Sequence, residues 1–190
     1  MRRARANLWA CAAATLAVAA CGGGERRDAG VRASTYTVDV ERVSFLPQQR
    51  LAQRNALVIA VRNAGEETIP NLTVTVRGFA GRTTGSRDAG LGRDLWIVDQ
   101  APGGTTTAFE DTWSAGRLDS GRTAQLRWEV TPVVAGTHKL TYEIAPAVAG
   151  SSRLKLRSGE RARGSLTVRV SGKPAQARVD PRTGAVQRKE

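Results

Sequence analysis

The chain has 190 residues, with 29 Lys and Arg against 17 Asp and Glu, and a formal net charge of +12 at pH 7. This length excludes a large multidomain protein and limits the chain to one ordinary domain with tails, or to two very small domains. The basic excess is spread along the chain, so it predicts a positive surface potential and not a charged pocket.

The N-terminus predicts export followed by lipid attachment at Cys21. Arg2, Arg3 and Arg5 form a basic region, and the uncharged stretch Leu8 to Ala20 ends in small residues directly before the thiol. The pattern resembles the bacterial lipobox, in which the chain is cut before a cysteine that then receives fatty-acyl groups such as palmitate. We therefore predict a lipoprotein held at the extracytoplasmic face of the cell membrane. The alternatives are an ordinary secretory signal or an uncleaved anchor, although the uncharged run could barely cross a bilayer that needs about 20 apolar residues.

Lipidation would leave the exported part without a free thiol. The chain has two cysteines; Cys11 would leave with the signal and Cys21 would become a thioether, so we expect no disulfide, thiolate ligand or thiolate nucleophile. Stability must then come from a packed core. The Gly-rich, charged segment from Gly22 to about Ser34 cannot bury apolar area and is interpreted as a flexible tether.

Beyond the tether, apolar and polar residues alternate with the period of two that is typical of strands with one buried face. The six clearest segments are Tyr36 to Val40, Leu57 to Val61, Leu72 to Val76, Leu126 to Val130, Leu140 to Ile144 and Leu166 to Val170, with shorter candidates at Leu95 to Val98 and Leu154 to Leu156. The segment Leu57 to Val61 is apolar at both parities, which predicts a central strand covered on both faces, by the first strand or by the loop that carries Trp96.

Turn residues separate these segments, as expected for an antiparallel protein. Asn63-Ala64-Gly65, Asp119-Ser120-Gly121 and Ala135-Gly136 each place a glycine where positive φ costs little. No amphipathic helix is predicted. Two long segments, roughly 80–94 and 145–164, are interpreted as irregular loops.

The order of apolar strand, Asn-x-Gly turn, valine-rich strand, Leu118-Asp119-Ser120-Gly121 turn and Gly136-led late strand resembles the bacterial cell-adhesion-related (CARDB-type) domain. The resemblance covers about residues 35 to 172, and the chain departs from the pattern by an insertion between Trp96 and Trp113. It implies an immunoglobulin-like antiparallel β-sandwich on the cell surface without known catalysis.

Few residues suggest a reaction. His138 is the single histidine, and its parity with Leu140 predicts a partly buried structural place at a strand end, with no triad or metal cluster around it. The adjacent carboxylates Glu66-Glu67 and Glu110-Asp111 point to opposite sides of extended chain, so we interpret them as solvated. We predict no enzyme activity, no cofactor and no metal site. A hydrolase using Glu110 or Asp111 is the least supported alternative.

Two sets of residues are candidates for binding. Trp96 and Trp113 flank a Thr/Gly loop; core packing is favoured for both, but an exposed ring would suit a sugar or a protein partner. Arg153, Lys155 and Arg157 alternate with leucines, which predicts one strongly positive strand face. A solvated edge strand is favoured for this face over a site for anionic envelope polymer or lipid headgroups.

These observations predict an all-β chain in four parts: a signal peptide over 1–20, a tether over 21–34, an immunoglobulin-like sandwich over 35–172 and a tail or small hairpin over 173–190. The function favoured is a non-enzymatic, lipid-anchored module that presents the sandwich to a protein or envelope partner. The alternative is a glycan- or small-ligand-binding lipoprotein that uses the Trp96 to Trp113 region. We expect a monomer. We also expect no binding to nucleic acid, since no recognition helix or base-stacking platform is predicted.

Overall fold

The computed structural model describes residues 34–81, 93–146, 152–174, 176–184 and 186–189. The predicted signal peptide, Cys21 and the tether except Ser34 lie outside the described residues. All regular structure in the described part is β-strand. No helix in that part is long and apolar enough to span a bilayer.

The described part of the chain contains fifteen strands. Their bounds are β1 Thr35–Ser44, β2 Gln48–Leu51, β3 Asn55–Asn63, β4 Ile69–Arg77, β5 Ala80–Gly81, β6 Arg93–Asp94, β7 Trp96–Gln100, β8 Thr106–Phe109, β9 Thr112–Leu118, β10 Thr123–Pro132, β11 Gly136–Ala145, β12 Arg153–Leu156, β13 Arg163–Pro174, β14 Gln176–Val179 and β15 Val186–Lys189.

Two sheets pack face to face as an immunoglobulin-like β-sandwich. The five-stranded sheet has the order β12-β1-β3-β10-β7, and the six-stranded sheet has the order β2-β13-β11-β4-β9-β8. Strands β1, β3 and β10 of one sheet face β4, β11 and β13 of the other, so neighbours in sequence cross between layers as they do in immunoglobulin domains. The predicted fold class is therefore confirmed.

Parallel pairing occurs at one edge of each sheet. Strand β12 runs parallel to β1, and β2 runs parallel to β13. Near its start the chain also changes sheets: β1 belongs to the five-stranded sheet, and after Phe45, Leu46 and Pro47 it continues as β2 in the six-stranded sheet. These parallel pairs depart from the purely antiparallel arrangement that the turns predicted.

All six segments with clear alternation form strands, and both shorter candidates do as well. Five strands were not predicted. Two of them, β5 and β6, pair with each other at the two ends of the 80–94 segment, which was interpreted as an irregular loop. The segment between Trp96 and Trp113, interpreted as a loop, contains the end of β7 and strand β8, and it leads into β9. Strand β2 also escaped prediction, because Gln48-Gln49-Arg50 shows no apolar alternation.

Strand β3 is central, as predicted, and is buried on both faces: Leu57, Ile59 and Val61 are fully buried, and Val58 and Ala60 are each 6 % exposed. Its outer face is not covered by another strand or by the Trp96 loop. Instead, the register places the long side chain of Arg127 beside Val58, and those of Gln125 and Arg42 beside Ala60. The aliphatic stems of such side chains cover apolar surface while their polar ends stay in water.

The core between the sheets contains the inward residues of all the long strands. At its centre, Trp128 of β10 packs edge-on against Trp113 of β9 with ring centroids 5.3 Å apart, so this contact joins the two sheets. Edge-to-face pairs contribute beyond the area that they bury.

Beyond the sandwich, β14 and β15 pair antiparallel around a turn at 180–184. The backbone amides of Arg182 and Thr183 donate to the carboxylate of Asp180, so two amides of the turn have hydrogen-bond acceptors. Of the two alternatives for the C-terminal segment, the structure shows the hairpin.

Candidate binding surfaces

Trp96 and Trp113 are part of the core. Trp96 is 1 % exposed and Trp113 is 7 % exposed, so neither ring forms a surface. The sequence favoured this outcome, and the structure removes the exposed aromatic face on which the alternative glycan-binding role of these two residues depended. The physical reason is that the flanking segment forms strands, which turn both indoles toward the interior.

Trp96 also joins the two sheets through a buried polar contact. Its indole Nε1 donates to Oε1 of Gln49 on β2 over 2.8 Å, and Gln49 is 2 % exposed. The ring of His138 lies edge-on to Trp96 with centroids 5.3 Å apart, and His138 Nε2 lies 2.9 Å from the carbonyl of Val134. His138 is partly buried and packed, which agrees with the predicted structural role.

Arg153 and Lys155 lie on β12 at the edge of the five-stranded sheet, and Arg157 directly follows this strand. All three are exposed and alternate with buried Leu154 and half-buried Leu156. They do not act as one cluster, because the Arg157 guanidinium Nε bonds to both carboxylate oxygens of Asp39 over 2.9 and 3.0 Å. Charge not engaged in an ion pair within the described residues therefore remains at Arg153 and Lys155.

The free edge of β12 is partly closed by the chain that follows it. The backbones of Lys155 and Arg161 form an isolated antiparallel β-bridge, and the amide of Leu156 donates to the carbonyl of Glu160 over 2.8 Å. A depression of about 330 Å³ lies here, between β12 and the end of β11, and Arg153, Lys155 and Arg161 contribute to its wall. Cationic side chains on a strand edge discourage pairing with other chains. The edge position thus fits the solvated-edge interpretation, and binding by Arg153, Lys155 and Arg157 stays a prediction.

The carboxylate pairs behave differently from each other. Glu66 and Glu67 are both exposed at the turn after β3. Asp111 adopts a φ of 58° in the turn between β8 and β9, and burial, together with the charge of Glu110, raises the pKa of its carboxyl above the ordinary value despite the opposing field of Arg77. Among the described residues, no group of three or more His, Cys, Asp or Glu side chains is arranged to hold a metal ion.

Two further pKa shifts are structural. Hydrogen bonds from Thr68 and Arg117 lower the pKa of Asp119, which lies at the turn between β9 and β10. Burial raises the pKa of Tyr142, whose ring lies over Gly164 on the neighbouring strand. That close approach explains the glycine, because a Cβ at position 164 would meet the tyrosine ring.

The outer face of the six-stranded sheet carries exposed charges that are separated in the sequence and adjacent in the fold. On β11 the outward residues are Thr137, Lys139, Thr141 and Glu143; on β13 they are Arg163, Ser165, Thr167 and Arg169; on β4 they include Thr75 and Arg77. We call this set the hydroxyl-cation face. A depression of about 440 Å³ lies on it, with Thr75, Arg77, Thr141, Glu143, Arg163 and Ser165 in its wall.

The sequence predicts which residues of these strands point outward, but not which strands are adjacent. Within β11 and β13, every second residue is polar, and that parity was already used to predict the inward residues. What the sequence does not show is that these two strands are neighbours and that β4 lies beside them. Only the register brings Lys139 opposite Thr167 and Arg169 opposite Thr137.

No protein-family model and no curated protein matches the chain. Solved structures with some likeness include the CARDB domain of the PF1109 protein from Pyrococcus furiosus in complex with di-metal ions, at 13% identity and a TM-score of 0.43, with 71% of this chain and 86% of that chain covered. Another is the Escherichia coli alpha-2-macroglobulin from domain MG7 to the C-terminus, at 11% identity and a TM-score of 0.46, with 79% of this chain and 21% of that chain covered. Likeness at this distance carries no inference about activity, ligands or partners.

Proposed function

We propose that the chain is an exported lipoprotein, attached to the cell membrane through Cys21, whose immunoglobulin-like module binds an envelope or surface partner without catalysing a reaction. The lipobox-like N-terminus and the tether supply the argument for the anchor. The resemblance to CARDB-type domains, read from the turns and strand order of the sequence, supplies the argument for a surface module.

The observation that carries the binding role is the hydroxyl-cation face. It is broad, exposed and built on the rigid backbone of paired strands, and its charged groups point to solvent instead of to one another. A sheet face of this kind holds its side chains at fixed spacings, which suits recognition by contact. The core behind it is occupied by the inward side chains of the same strands.

The anchor is tested by Cys21→Ala. We expect this variant to leave the membrane fraction of expressing cells, because loss of the sulfur removes the acyl attachment point and the uncharged stretch before it could barely cross a bilayer. The measurement is the distribution of the protein between membrane and soluble fractions, together with the mass of the mature N-terminus.

Cys11→Ala is the matched control, since this cysteine would be removed with the signal peptide and its loss should leave the distribution unchanged. If Cys21→Ala stays in the membrane fraction at the original level, or if the mature N-terminus carries no lipid, the proposed anchor is wrong.

A further inference from the structure

We propose that the hydroxyl-cation face binds an anionic polysaccharide. The inference takes the location outside the cell from the proposed function, and it takes the binding chemistry from the face itself. Its evidence is the composition of the six strands, the arrangement of their charges and the hydroxyl groups between them.

The six-stranded sheet is strongly biased toward positive charge. Its strands carry seven Lys and Arg residues and one carboxylate, Glu143. The cations are Arg50, Arg77, Arg117, Lys139, Arg163, Arg169 and Lys173. Clustered charge of one sign raises the local concentration of oppositely charged ligands and accelerates their association.

Most of these cations are not neutralised by the protein itself. Arg117 pairs with Asp119 over 2.8 Å. Within the described part of the chain, no carboxylate lies within the 4.0 Å ion-pair distance of Lys139, Arg163 or Arg169, although Glu143 is directly opposite Arg163 in the register. These three cations are therefore available to a ligand's anionic groups.

Protection of a sheet edge does not explain the position of every cation. Cationic side chains commonly blunt edge strands against aggregation, as on β12. Arg169, however, lies where β13 is paired on both sides, opposite Thr137 of β11 and Gln48 of β2. The pairing with β2 begins at Arg169, so Arg163 lies on a part of β13 that pairs in the sheet with β11 alone. Edge protection therefore does not account for Arg169.

Hydroxyl groups separate the cations in a regular pattern. In the register, Lys139 is opposite Thr167, Arg169 is opposite Thr137 and Arg77 is opposite Thr141. Each hydroxyl both donates and accepts hydrogen bonds, while Lys and Arg only donate. A ligand that offers carboxylate or phosphate oxygens to the cations and hydroxyls to the threonines matches this pattern, and an acidic sugar polymer has both.

The dimensions of the face suit a polymer. Arg163 and Arg169 are six residues apart on one strand, which corresponds to about 20 Å at roughly 3.3 Å per residue. Several sugar units can lie along that distance. Single-stranded nucleic acid is a poorer match, because it requires exposed aromatic rings for base stacking. Within the described residues, the rings of Tyr36, Phe45, Phe79, Trp96, Trp113 and Trp128 are buried, and the ring of Tyr142 is half-buried against Gly164.

An anionic membrane surface is also a poorer match. Proteins that settle into a bilayer interface insert exposed apolar side chains among the lipids. In the described residues, the exposed large hydrophobic side chains are Leu46, Ile97 and Val133, and none of them belongs to a strand of the six-stranded sheet. The face offers charge and hydroxyls, without an apolar group to insert.

The test measures binding of the full chain carrying Cys21→Ser, so that acyl chains play no part in any arm. The probe is polygalacturonate, with dextran as the neutral sugar polymer, polyglutamate as the anionic polymer without sugar, and phosphatidylglycerol vesicles as the anionic lipid surface. We expect binding to polygalacturonate that weakens as salt is raised, since screening shortens electrostatic attraction.

The decisive comparison is between two double variants that each remove two positive charges from exposed strand positions. Lys139→Thr with Arg169→Thr alters the hydroxyl-cation face; Arg42→Thr with Arg62→Thr alters the outer face of the five-stranded sheet. We expect the first variant to bind polygalacturonate about tenfold more weakly, because each exposed ion pair contributes up to about fivefold. We expect the second to bind within about twofold of the original chain. Thermal unfolding checks that all variants are folded.

Equal loss in both double variants would show attraction to net charge alone and would overturn the proposal. So would equal binding to polyglutamate, binding confined to phosphatidylglycerol vesicles, or no binding to polygalacturonate. None of these outcomes bears on whether Cys21 is lipidated, so failure here is distinct from failure of the proposed anchor.

Discussion

The outer faces of the two sheets treat their charges in opposite ways. On the five-stranded sheet, the strands carry five Lys and Arg residues and four carboxylates. Several of them bond to one another or to neighbouring groups: Arg127 pairs with Glu129 over 2.7 Å, Asp39 binds Arg157, and Asp99 accepts from Thr131. On the six-stranded sheet, the cations alternate with hydroxyls, and the strands hold one carboxylate, Glu143.

This difference shows that the net positive charge of the chain does not by itself indicate which cations are available to a partner. Mutual pairing on the five-stranded face leaves a surface with little net field, and such exposed pairs contribute little stability. The unpaired charges of the other face repel one another, which costs stability. Because its cations lower stability when unpaired and would be neutralised by an anionic partner, this face is the better candidate for contact with such a partner.

Both faces depend on one core, so the largest effect is expected where the sheets are joined. We predict that Trp96→Phe lowers the free energy of unfolding by about 1–3 kcal/mol more than Trp128→Phe does. Both changes remove similar apolar area, but the first also leaves the buried Gln49 amide oxygen without its donor, and an unsatisfied buried polar group costs about this much.

Trp128 is the matched control because it is fully buried and its Nε1 finds no acceptor among the described residues. Urea denaturation gives both values. Equal losses would mean that the Trp96–Gln49 bond does not stabilise the contact between the sheets.

An intermediate effect on stability is expected at Gly164 of β13, one of the strands that carry the hydroxyl-cation face. Gly164→Ala should lower stability by about 1–3 kcal/mol, the usual cost of forcing added volume into a packed site, because the new Cβ would meet the ring of Tyr142 on β11. The midpoint of urea denaturation reports the loss.

Gly172→Ala on the same strand is the control, since its Cβ would have ordinary contact with Ala135 at 3.8 Å. It should be neutral or stabilising by up to about 1 kcal/mol. If the two substitutions behave alike, the ring of Tyr142 does not restrict position 164.

The smallest effect tests the comparison itself. Asp39→Asn should cost under about 1 kcal/mol at low salt, and the loss should disappear in about 1 M salt, where charges are screened within about 3 Å. Glu143→Gln should leave stability unchanged in either condition, because no ion pair holds Glu143 within the described residues. A salt-sensitive loss in Glu143→Gln would show that the second face pairs its charges after all.

The sequence predicts the strands whose alternation is strict. Leu126, Trp128 and Val130 point inward as their spacing predicts, because a half-buried strand has to present one apolar side. Strands β8 and β9 were missed because threonine, serine, glycine and alanine give no contrast between the two parities. Their recognition needs the neighbouring strand β4, whose residues lie at least 37 positions from their partners in β9.

The candidate surfaces were harder to predict than the fold. The exposure of Arg153 and Lys155 follows from local alternation, but the engagement of Arg157 with Asp39 does not, because it joins residues 118 positions apart. The hydroxyl-cation face requires three strands to be adjacent, which only the topology provides. Likewise, the sequence favoured core packing of Trp96, but its hydrogen bond to Gln49 joins residues 47 positions apart and cannot be predicted from local sequence.

The pairing of β1 has a mechanical consequence. This strand begins at Thr35, directly after the segment that follows Cys21, and it is bonded along one side to β3 and along part of the other side to β12. Tension applied along β1 from its N-terminal end would load both ladders in shear, so many backbone bonds would have to yield together instead of opening one after another. If the chain were held at its N-terminus and bound to a partner elsewhere on its surface, β1 would resist the resulting tension.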